Sequence, residues 1–338
     1  MDRYLGFVCA GLVLSAAAGC SGATSGPPVN PGTGSTTPTQ VASASTLLKT
    51  GIYVDSDATS AIYAFRSNYK GGHGPGCTIY TGYVNTSDVA VDTSGNLVVP
   101  EDYPVSSVTV YGGPNMCGHE IGKFGDTYGE AEDVATSDAI HGRLVIANYN
   151  SASSSAGNLA VCSLKAGCTS ELTNSNVTGA GAGVAIAKNG DCWLSSESAG
   201  SDGAALTYWP KCSGPGEATS GFQDASFGGL TIDSEGHLLS IDTIGGGGGQ
   251  LWVYSGCNPV CVVAGGPFPL LGNPLFGKLD AHGDTFGVIE TGLPNAGQVD
   301  IYSYGAKGLT YRYGFNSSFA IVSVPIGFAY NPPLIPRK

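Results

Sequence analysis

The sequence contains little charge, and most of that charge is negative. Charged residues make up 12% of the 338 residues, with 14 Lys and Arg against 26 Asp and Glu, and the formal net charge is −12. Proteins that bind nucleic acid carry a basic surface, so this balance argues against a nucleic-acid partner. The sequence also lacks an internal run of the roughly 18 uninterrupted apolar residues that a membrane-spanning helix needs.

Motifs of the common enzyme classes are also absent. The sequence contains no G-x-S-x-G nucleophile elbow, no P-loop, no H-E-x-x-H zinc motif and no dinucleotide-binding fingerprint. Its five histidines are scattered along the chain. No catalytic residue can therefore be assigned from a motif, and we expect a protein that binds rather than catalyses.

Glycine and proline are abundant instead, with 53 and 19 residues respectively. This composition, with few helix-type segments, favours an all-β chain with many turns. One short phrase recurs in it, namely an alternating apolar run, a glycine turn and a second apolar run. The clearest copies are D-V-A-V-D-T-S-G-N-L-V-V from Asp88, G-V-A-I-A-K-N-G-D-C-W-L from Gly183 and G-L-T-I-D-S-E-G-H-L-L-S from Gly229.

The repeats have the spacing of propeller blades. Their first large apolar residues are separated by 45, 50, 46, 49 and 49 residues, at Val89, Val134, Val184, Leu230, Leu279 and Phe328. A period of roughly 40 to 50 residues built from short strands is typical of a β-propeller, and about six units of four strands fill residues 46–338. The first unit lacks an inner strand, whereas the last unit is an inner strand that is followed only by a proline-rich tail. We therefore predict that the C-terminal strand joins the N-terminal blade and closes a six-bladed ring.

The phrase G-[IVL]-A-[VI]-D-x-x-G-x-[LI]-x-V resembles NHL-type repeats and the related propellers of the gluconolactonase-like superfamily. The resemblance covers about 290 residues and implies the fold, whereas one fold hosts many functions. In calcium-dependent members, metal ligands come from motifs similar to N-G-[LM] and P-D-G at the inner-strand starts. Here those positions read S-D-V, E-D-V, A-G-V, G-G-L, G-K-L and I-G-F, so that metal site is not reproduced.

The N-terminus is a targeting segment. Arg3 precedes a mostly apolar stretch that ends in Ala17-Ala18-Gly19-Cys20. This ending is similar to the lipobox of bacterial lipoproteins, in which the cysteine is lipidated and becomes the mature N-terminus, although Ala17 stands where leucine is usual. An ordinary secretory signal cut near the same place is the alternative.

Residues 21–45 are uncharged and rich in Gly, Ser, Thr and Pro, so they cannot bury enough surface to fold. We therefore predict a signal peptide at 1–19, a lipidated Cys20 with a disordered tether at 20–45, and a propeller at 46–338. The protein is expected to be exported and anchored to a bacterial membrane by lipid, facing the periplasm or the cell surface.

Eight cysteines follow Cys9 and Cys20, and an even number in an exported chain predicts disulfides. Cys192 and Cys212 fall on runs that form adjacent antiparallel strands, so they can form a cross-strand bridge. Cys162–Cys168 and Cys257–Cys261 each close a short hairpin loop, and Cys77–Cys117 follows by exclusion. A metal site at Cys257 and Cys261 is an alternative, but no companion histidine or cysteine pair supports it.

Acidic and amide side chains recur where the second strands end and where inner strands begin, so they are expected on one face of the ring. The candidate rim consists of Asp55, Asp88, Glu101, Asp133, Asn148, Glu197, Asp242 and Glu290. Such oxygen ligands can hold Ca²⁺, and a carboxylate pair can act as acid and base. The competing interpretation is that polar residues simply favour strand ends on an acidic protein.

Three functions remain open at this point. The first is an envelope-bound, monomeric scaffold that binds a protein or a small ligand. The second is a calcium-dependent hydrolase or lyase of the gluconolactonase-like kind that uses the acidic rim. The third is a structural envelope component with no discrete site.

Overall fold

The computed structural model describes residues 50–331 except 57–59, 72–73, 83–86, 103–105, 113–115, 138–141, 198–202, 225–227, 245–247, 291–296, 307 and 317–324. The signal peptide, Cys20 and the tether predicted at 1–45 lie outside the described residues. Within them the chain forms strands β1 to β24 in six four-stranded antiparallel sheets. This part of the chain contains no α-helix, and so no helix that could cross a membrane. The predicted six-bladed β-propeller is confirmed.

Each blade is one sheet whose strands follow each other from the centre of the ring outwards. Blade 1 consists of β24 (Pro325–Asn331), β1 (Gly51–Ser56), β2 (Ala61–Arg66) and β3 (Cys77–Tyr80). Blade 2 consists of β4 (Ala90–Val91), β5 (Leu97–Glu101), β6 (Ser107–Gly112) and β7 (His119–Gly125). Blade 3 consists of β8 (Gly129–Thr136), β9 (Leu144–Ser151), β10 (Asn158–Ser163) and β11 (Gly167–Leu172).

The other blades have the same order. Blade 4 consists of β12 (Gly181–Ile186), β13 (Cys192–Glu197), β14 (Ala204–Trp209) and β15 (Glu217–Ala218). Blade 5 consists of β16 (Leu230–Ile232), β17 (Leu238–Ile244), β18 (Gly248–Ser255) and β19 (Val262–Leu270). Blade 6 consists of β20 (Pro274–Leu279), β21 (Thr285–Glu290), β22 (Gln298–Gly305) and β23 (Gly308–Asn316).

The ring closes through its two ends, as the sequence predicts. The C-terminal strand β24 pairs antiparallel with β1, from Gly51 opposite Asn331 to Asp55 opposite Gly327. This pairing gives blade 1 the inner strand that its N-terminal segment lacks. It also leaves no unpaired strand edge at the junction of the ends, where further pairing could begin.

The turn between the first two strands of a blade is built on an aspartate in several repeats. In blade 2, Asp92 Oδ1 accepts hydrogen bonds from the backbone N–H of Ser94 at 2.9 Å and of Asn96 at 2.8 Å. Gly95 completes the turn with a φ of 83°, a conformation that favours glycine. Asp233 and Asp280 make the same kind of contact in blades 5 and 6.

The turn at Asp280 corrects the alignment of the sixth repeat. The apolar pattern of the sequence aligns Leu279 with Val89, the first apolar residue of the second repeat. In the structure Leu279 pairs with Phe286 just before the turn, as Val91 pairs with Leu97. The strand is therefore shifted by two residues, which preserves the inward and outward faces and so leaves the apolar pattern unchanged.

The hydrophobic core is divided among the interfaces between blades. Six clusters of buried residues are present, and each combines side chains from two neighbouring blades. Val89 and Val91 face blade 1, whereas Val98 and Val110 of the same blade face blade 3. Alternate side chains on a strand point to opposite faces of its sheet, so each blade contributes to two clusters. Each blade therefore needs its neighbours to complete its core.

The eight cysteines form the four predicted disulfides. Cys162–Cys168, Cys192–Cys212 and Cys257–Cys261 each lie within one blade. Cys212, however, lies in the 3-10 turn Pro210–Cys212 that follows β14 and not on a strand, so its bond to Cys192 is not the predicted cross-strand bridge. Cys77–Cys117 joins β3 of blade 1 to the loop after β6 of blade 2. The last bond spans 40 residues and therefore restricts the unfolded chain most in the entropic account of disulfide stabilisation.

Candidate functional site

The inner strands of all six blades line a central cavity of about 300 Å³. One residue of each inner strand lies at the same level of its wall. In most blades this residue is small, namely Ala90, Ala135, Ala185, Thr231 and Ala329. Blade 6 places Lys278 at this level instead. At this level the wall is therefore apolar apart from Thr231 and Lys278, whereas Thr93, Thr136, Ser137 and Lys188 add polar groups elsewhere in the lining.

Lys278 joins its blade to two carboxylates of other blades, namely Asp88 just before β4 of blade 2 and Asp133, which lies within β8 of blade 3 and not at its start, where the sequence predicts it. Its Nζ lies 2.6 Å from Asp88 Oδ2 and 3.5 Å from Asp133 Oδ1. Both carboxylates are fully buried, and the Lys278 side chain is only 14% exposed. Blades 3 and 6 face each other in a six-membered ring, so this ion cluster spans the channel. We call Lys278, Asp88 and Asp133 the channel triad.

Backbone hydrogen bonds hold the channel triad in place. Asp88 Oδ1 accepts from the N–H of Phe328 in blade 1 at 2.9 Å. Asp133 accepts from Val134 of its own strand and from Val184 in blade 4, both at 2.7 Å. The two side chains therefore tie neighbouring inner strands together, which satisfies buried donors at the ring centre.

The charges of the channel triad influence one another strongly. Asp133 and Asp88 raise the pKa of Lys278, because the ammonium is stabilised more by two adjacent carboxylates than burial disfavours it. Burial raises the pKa of Asp133, whereas Lys278 and the Val184 amide act in the opposite direction. The ammonium is thus the group that allows two carboxylates to stay buried together.

Glu101 lies in a separate network inside blade 2. It accepts hydrogen bonds from Ser107 at 2.9 Å and Thr109 at 3.1 Å, and Lys123 Nζ contacts it at 2.6 Å. Burial raises the pKa of Glu101, and Lys123 is the strongest opposing group. The side chain is neutralised within its own blade, away from the channel triad.

Asn148 and Asp242 also belong to their own blades. Asn148 donates to Asn158 Oδ1 at 2.7 Å in blade 3. Asp242 lies beside Asp224, whose pKa is raised to about 7, chiefly by burial and further by Asp242. Asp224 accepts hydrogen bonds from Ser240 and, at 2.7 Å, from Tyr254. This group ties the segment before β16 to blade 5 and leaves no carboxylate directed at the channel triad.

The remaining rim candidates have different environments. Asp55 is buried beside Gly327 in blade 1, where its Oδ1 accepts from the Ser56 N–H at 2.7 Å. Glu197 is exposed at the end of β13. Glu290 is fully buried in blade 6 next to Asp300. Of the eight candidates, the structure brings only Asp88 and Asp133 into one described cluster.

The residues at the channel centre do not fit the calcium ion that the superfamily resemblance implies. Ca²⁺ takes six to eight oxygen ligands at about 2.3–2.6 Å. Between Asp88 and Asp133 lies the ammonium of Lys278, which supplies the compensating charge itself. Across the described part of the chain, no three His, Cys, Asp or Glu side chains are placed to hold a metal. The channel triad is therefore an internal ion cluster whose positive charge comes from the chain.

Sequence reasoning overlooked Lys278 because it aligned the sixth repeat on its first apolar residue. A usable signal was present in the turns. Asp280 precedes Gly283 by three residues, as Asp92 precedes Gly95. Aligning these D-x-x-G turns would have placed Lys278 level with Ala90 in the channel wall.

The fold of this chain is similar to that of known propellers. No protein-family model and no curated protein matches the sequence. A chain in the crystal structure of a nidogen/laminin complex is 12% identical, with a TM-score of 0.58 over 83% of this chain and 98% of that chain. A putative 6-phosphogluconolactonase from Bacteroides fragilis is 11% identical, with a TM-score of 0.52 over 83% and 97%.

TolB from Acinetobacter baumannii is 11% identical, with a TM-score of 0.57 over 83% of this chain and 66% of that chain. At these identities the similarity extends to the fold alone, since proteins with one fold perform many functions. The chain is a six-bladed β-propeller whose structural neighbours include a propeller of the 6-phosphogluconolactonase kind.

Proposed function

We propose that this protein is an exported lipoprotein that is held at a bacterial membrane by lipid on Cys20 and binds another envelope protein through its propeller. In this proposal residues 1–19 are removed, residues 20–45 are the tether, and residues 46–338 form the binding domain. The lipobox-like Ala-Ala-Gly-Cys sequence and the uncharged segment after it support the anchor. The four disulfides support export, because such bonds persist in oxidising compartments.

The observation that carries the binding role is a group of exposed valines at the outer edge of blade 5. Val260, Val262 and Val263 are 57%, 56% and 42% exposed. Val262 and Val263 point to opposite faces of β19, and both are accessible because β19 is the outermost strand. We call these three residues the valine surface. Adjacent exposed apolar side chains are typical of protein-binding sites.

The valine surface is held rigidly. The Cys257–Cys261 disulfide closes the loop that carries Val260. Trp193 Nε1 donates to the carbonyl of Cys257 at 2.6 Å, which fixes the loop to blade 4. The backbone of Ser220 also bonds to this loop, accepting from Cys261 N–H at 2.8 Å. A preorganised apolar surface loses little conformational entropy when a partner binds.

The central cavity is a weaker candidate for ligand binding. Its walls are largely apolar, and of the two lysines in its lining Lys278 is already engaged by Asp88 and Asp133, whereas Lys188 is exposed. Small-molecule sites usually combine an apolar lining with polar groups that are available to orient the ligand. The valine surface therefore supports binding of a protein partner with an apolar patch better than the cavity supports a small ligand.

Lipidation is tested by metabolic labelling with radioactive palmitate. The wild-type protein should incorporate label and sediment with membranes, whereas a Cys20→Ala variant should lose both properties. Label that persists in the variant would contradict the anchor. Export without label would favour the ordinary secretory signal.

Binding is tested by site-specific photocrosslinking in intact cells. A photoreactive residue at position 260 or 262 should give one discrete adduct, and glutamate substituted at the other of these two positions should abolish it. Lys165 is the matched control, because it is exposed in the disulfide-closed Cys162–Cys168 hairpin of blade 3 but lacks apolar neighbours of this kind. Equal adducts at all three positions, or none in correctly localised protein, would argue against the valine surface.

A further inference from the structure

Blade 6 contains a pair of buried carboxylates in a position where blade 2 contains an ion pair. Val288 pairs with Asp300 in blade 6 as Val99 pairs with Thr109 in blade 2. Glu290 therefore corresponds to Glu101, two residues further along the second strand. Both acidic side chains lie at the same end of their blades. Glu101 shares a face of its sheet with Thr109, and Glu290 shares a face of its sheet with Asp300.

The outer strands differ between the two blades in a way that changes the charge of this position. In blade 2, Lys123 lies opposite Thr109 and contacts Glu101 at 2.6 Å. In blade 6 the residue opposite Asp300 is Gly314. In blade 6 Asp300 takes the place of Thr109, which adds one negative charge. Gly314 takes the place of Lys123, which removes one positive charge. The site is therefore formally neutral in blade 2 and carries two excess negative charges in blade 6.

Among the described residues no cationic side chain pairs with the two buried carboxylates of blade 6. Glu290 and Asp300 are both 0% exposed. Neither oxygen of Glu290 nor Oδ2 of Asp300 makes a hydrogen bond of standard geometry there. Asp300 Oδ1 accepts from Gln298 Nε2 at 2.5 Å. Burying a charge without a partner is costly, so a native site of this kind calls for a counter-ion or a bound proton.

Gly314 leaves the space that these side chains occupy. A Cβ at this position would lie 2.3 Å from Asp300 Oδ1 and 2.6 Å from Gln298 Nε2. Any larger residue would therefore push both side chains out of their positions over β23. Glycine here keeps the oxygen-bearing groups together beside Glu290.

We propose that the carboxylates of Glu290 and Asp300 form a binding site for a divalent cation, and that this cation is Ca²⁺. The two side chains offer only oxygen ligands, which Ca²⁺ prefers over the nitrogen and sulfur ligands typical of zinc. The charge of the cation matches the two uncompensated carboxylates. Backbone carbonyls and water would complete its coordination. The site lies within blade 6 and is separate from the channel triad.

Repulsion within the pair agrees with this assignment. Burial and then Asp300 raise the pKa of Glu290 to about 8, and the backbone of Asn273 opposes this rise. Binding of Ca²⁺ would offset this repulsion and hold β21 against β22.

The first experiment uses purified full-length protein that has been treated with EDTA and then titrated with CaCl2. We expect saturable binding of one Ca²⁺ by calorimetry and a rise in Tm with increasing Ca²⁺. At a hundredfold excess over Kd, the rise should be about 5 °C for a domain of this size. MgCl2 and NaCl at matched ionic strength separate specific binding from screening of an acidic protein.

Isosteric variants locate the site. Glu290→Gln and Asp300→Asn should each abolish the Ca²⁺-dependent shift, whereas the matched Glu101→Gln variant in blade 2 should retain it. A Ca²⁺ effect that survives both blade 6 substitutions would assign the binding elsewhere on the acidic surface and overturn the proposal. The absence of any Ca²⁺ effect on the folded wild-type protein would also overturn it and leave a shared proton as the counter-charge.

A transplant of the blade 2 residues provides a gain-of-function control. The triple substitution Asp300→Thr, Gln298→Ser and Gly314→Lys copies Thr109, Ser107 and Lys123 of blade 2, makes room at position 314 and installs an internal ammonium in place of the cation. Its Tm in EDTA should equal or exceed that of the EDTA-treated wild type, and Ca²⁺ should not change it. This variant stays informative if the single substitutions prevent folding. A Ca²⁺-dependent rise in its Tm equal to that of wild type would contradict the site.

Discussion

Lys278→Met is the substitution that tests the role of the channel triad most directly. Methionine keeps most of the volume of the lysine stem and removes only the ammonium. Asp88 and Asp133 remain fully buried, and Lys278 Nζ is the cation within 2.6 Å and 3.5 Å of them. The variant therefore leaves two carboxylates together at the ring centre without a counter-charge.

The expected cost follows from what is known of buried ion pairs. Removing one member of a buried pair usually destabilises a protein by about 3–5 kcal/mol. The unfolding entropy is roughly 2.1 cal/mol/K per residue, which for a domain of this size gives about 0.6 kcal/mol/K. The substitution should therefore lower Tm by about 5–8 °C at pH 7.5. Differential scanning calorimetry and urea unfolding both measure this difference.

The dependence of the effect on pH distinguishes lost charge from lost packing. Burial already raises the pKa of Asp133 above its unfolded value, and the substitution removes the Lys278 ammonium that opposes this rise. A group of this kind contributes stability that is fully present below the unfolded pKa and is lost as pH rises through the folded pKa. The difference between variant and wild type should thus be small at pH 4 and large at pH 8.

A triple variant completes the test. Asp88→Asn and Asp133→Asn, added to Lys278→Met, remove both charges; the asparagine at 88 keeps an oxygen for Phe328, and the asparagine at 133 keeps one oxygen for either Val134 or Val184. This variant should recover part of the lost stability at pH 7.5, because a neutral replacement of a whole buried ion cluster is often tolerated. A Lys278→Met variant within about 0.5 kcal/mol of wild type, or a deficit independent of pH, would refute the reasoning.

Substitutions and truncations elsewhere in the ring test the other structural elements. Lys123→Met should destabilise the protein by about 2–3 kcal/mol in urea unfolding, because it leaves Glu101 buried, and by less than the channel substitution since Lys123 is 29% exposed. Replacing the 77–117 disulfide by alanines should cost about 4 kcal/mol for its separation of 40 residues, against about 2 kcal/mol for the 257–261 disulfide with its separation of 4, and equal costs would contradict the entropic account. Deleting residues 325–338 removes the inner strand of blade 1, so calorimetry should show loss of the single cooperative transition, whereas an unchanged transition would show that ring closure is dispensable.

The architecture could be predicted from the sequence because its signals are local. Alternating apolar residues, glycine turns and a period near 48 residues recur along the chain, and the strand and turn signals act within a few neighbouring residues. Ring closure followed because the two ends of the repeat array are incomplete in complementary ways. The disulfides followed from cysteine spacing together with the predicted strands.

The candidate site could be predicted only in part. Asp88 and Asp133 are predicted at the starts of inner strands, and the structure brings them together. Glu101 and Glu290 are expected on the same rim, but each lies inside its own blade. The sequence shows that a polar residue ends a strand, whereas the side chain of that residue turns toward whichever donors the adjacent strand presents.

Sequence by itself therefore determined the fold of this protein, the number of blades and the pairing of the cysteines. Tertiary structure alone decided that Lys278 crosses the channel and that Gly314 faces Asp300. Both depend on the register between strands and on which blades face each other across the ring. A shift of two residues leaves the apolar pattern intact and moves a charge by nearly 7 Å along a strand, so hydrophobic periodicity cannot locate it.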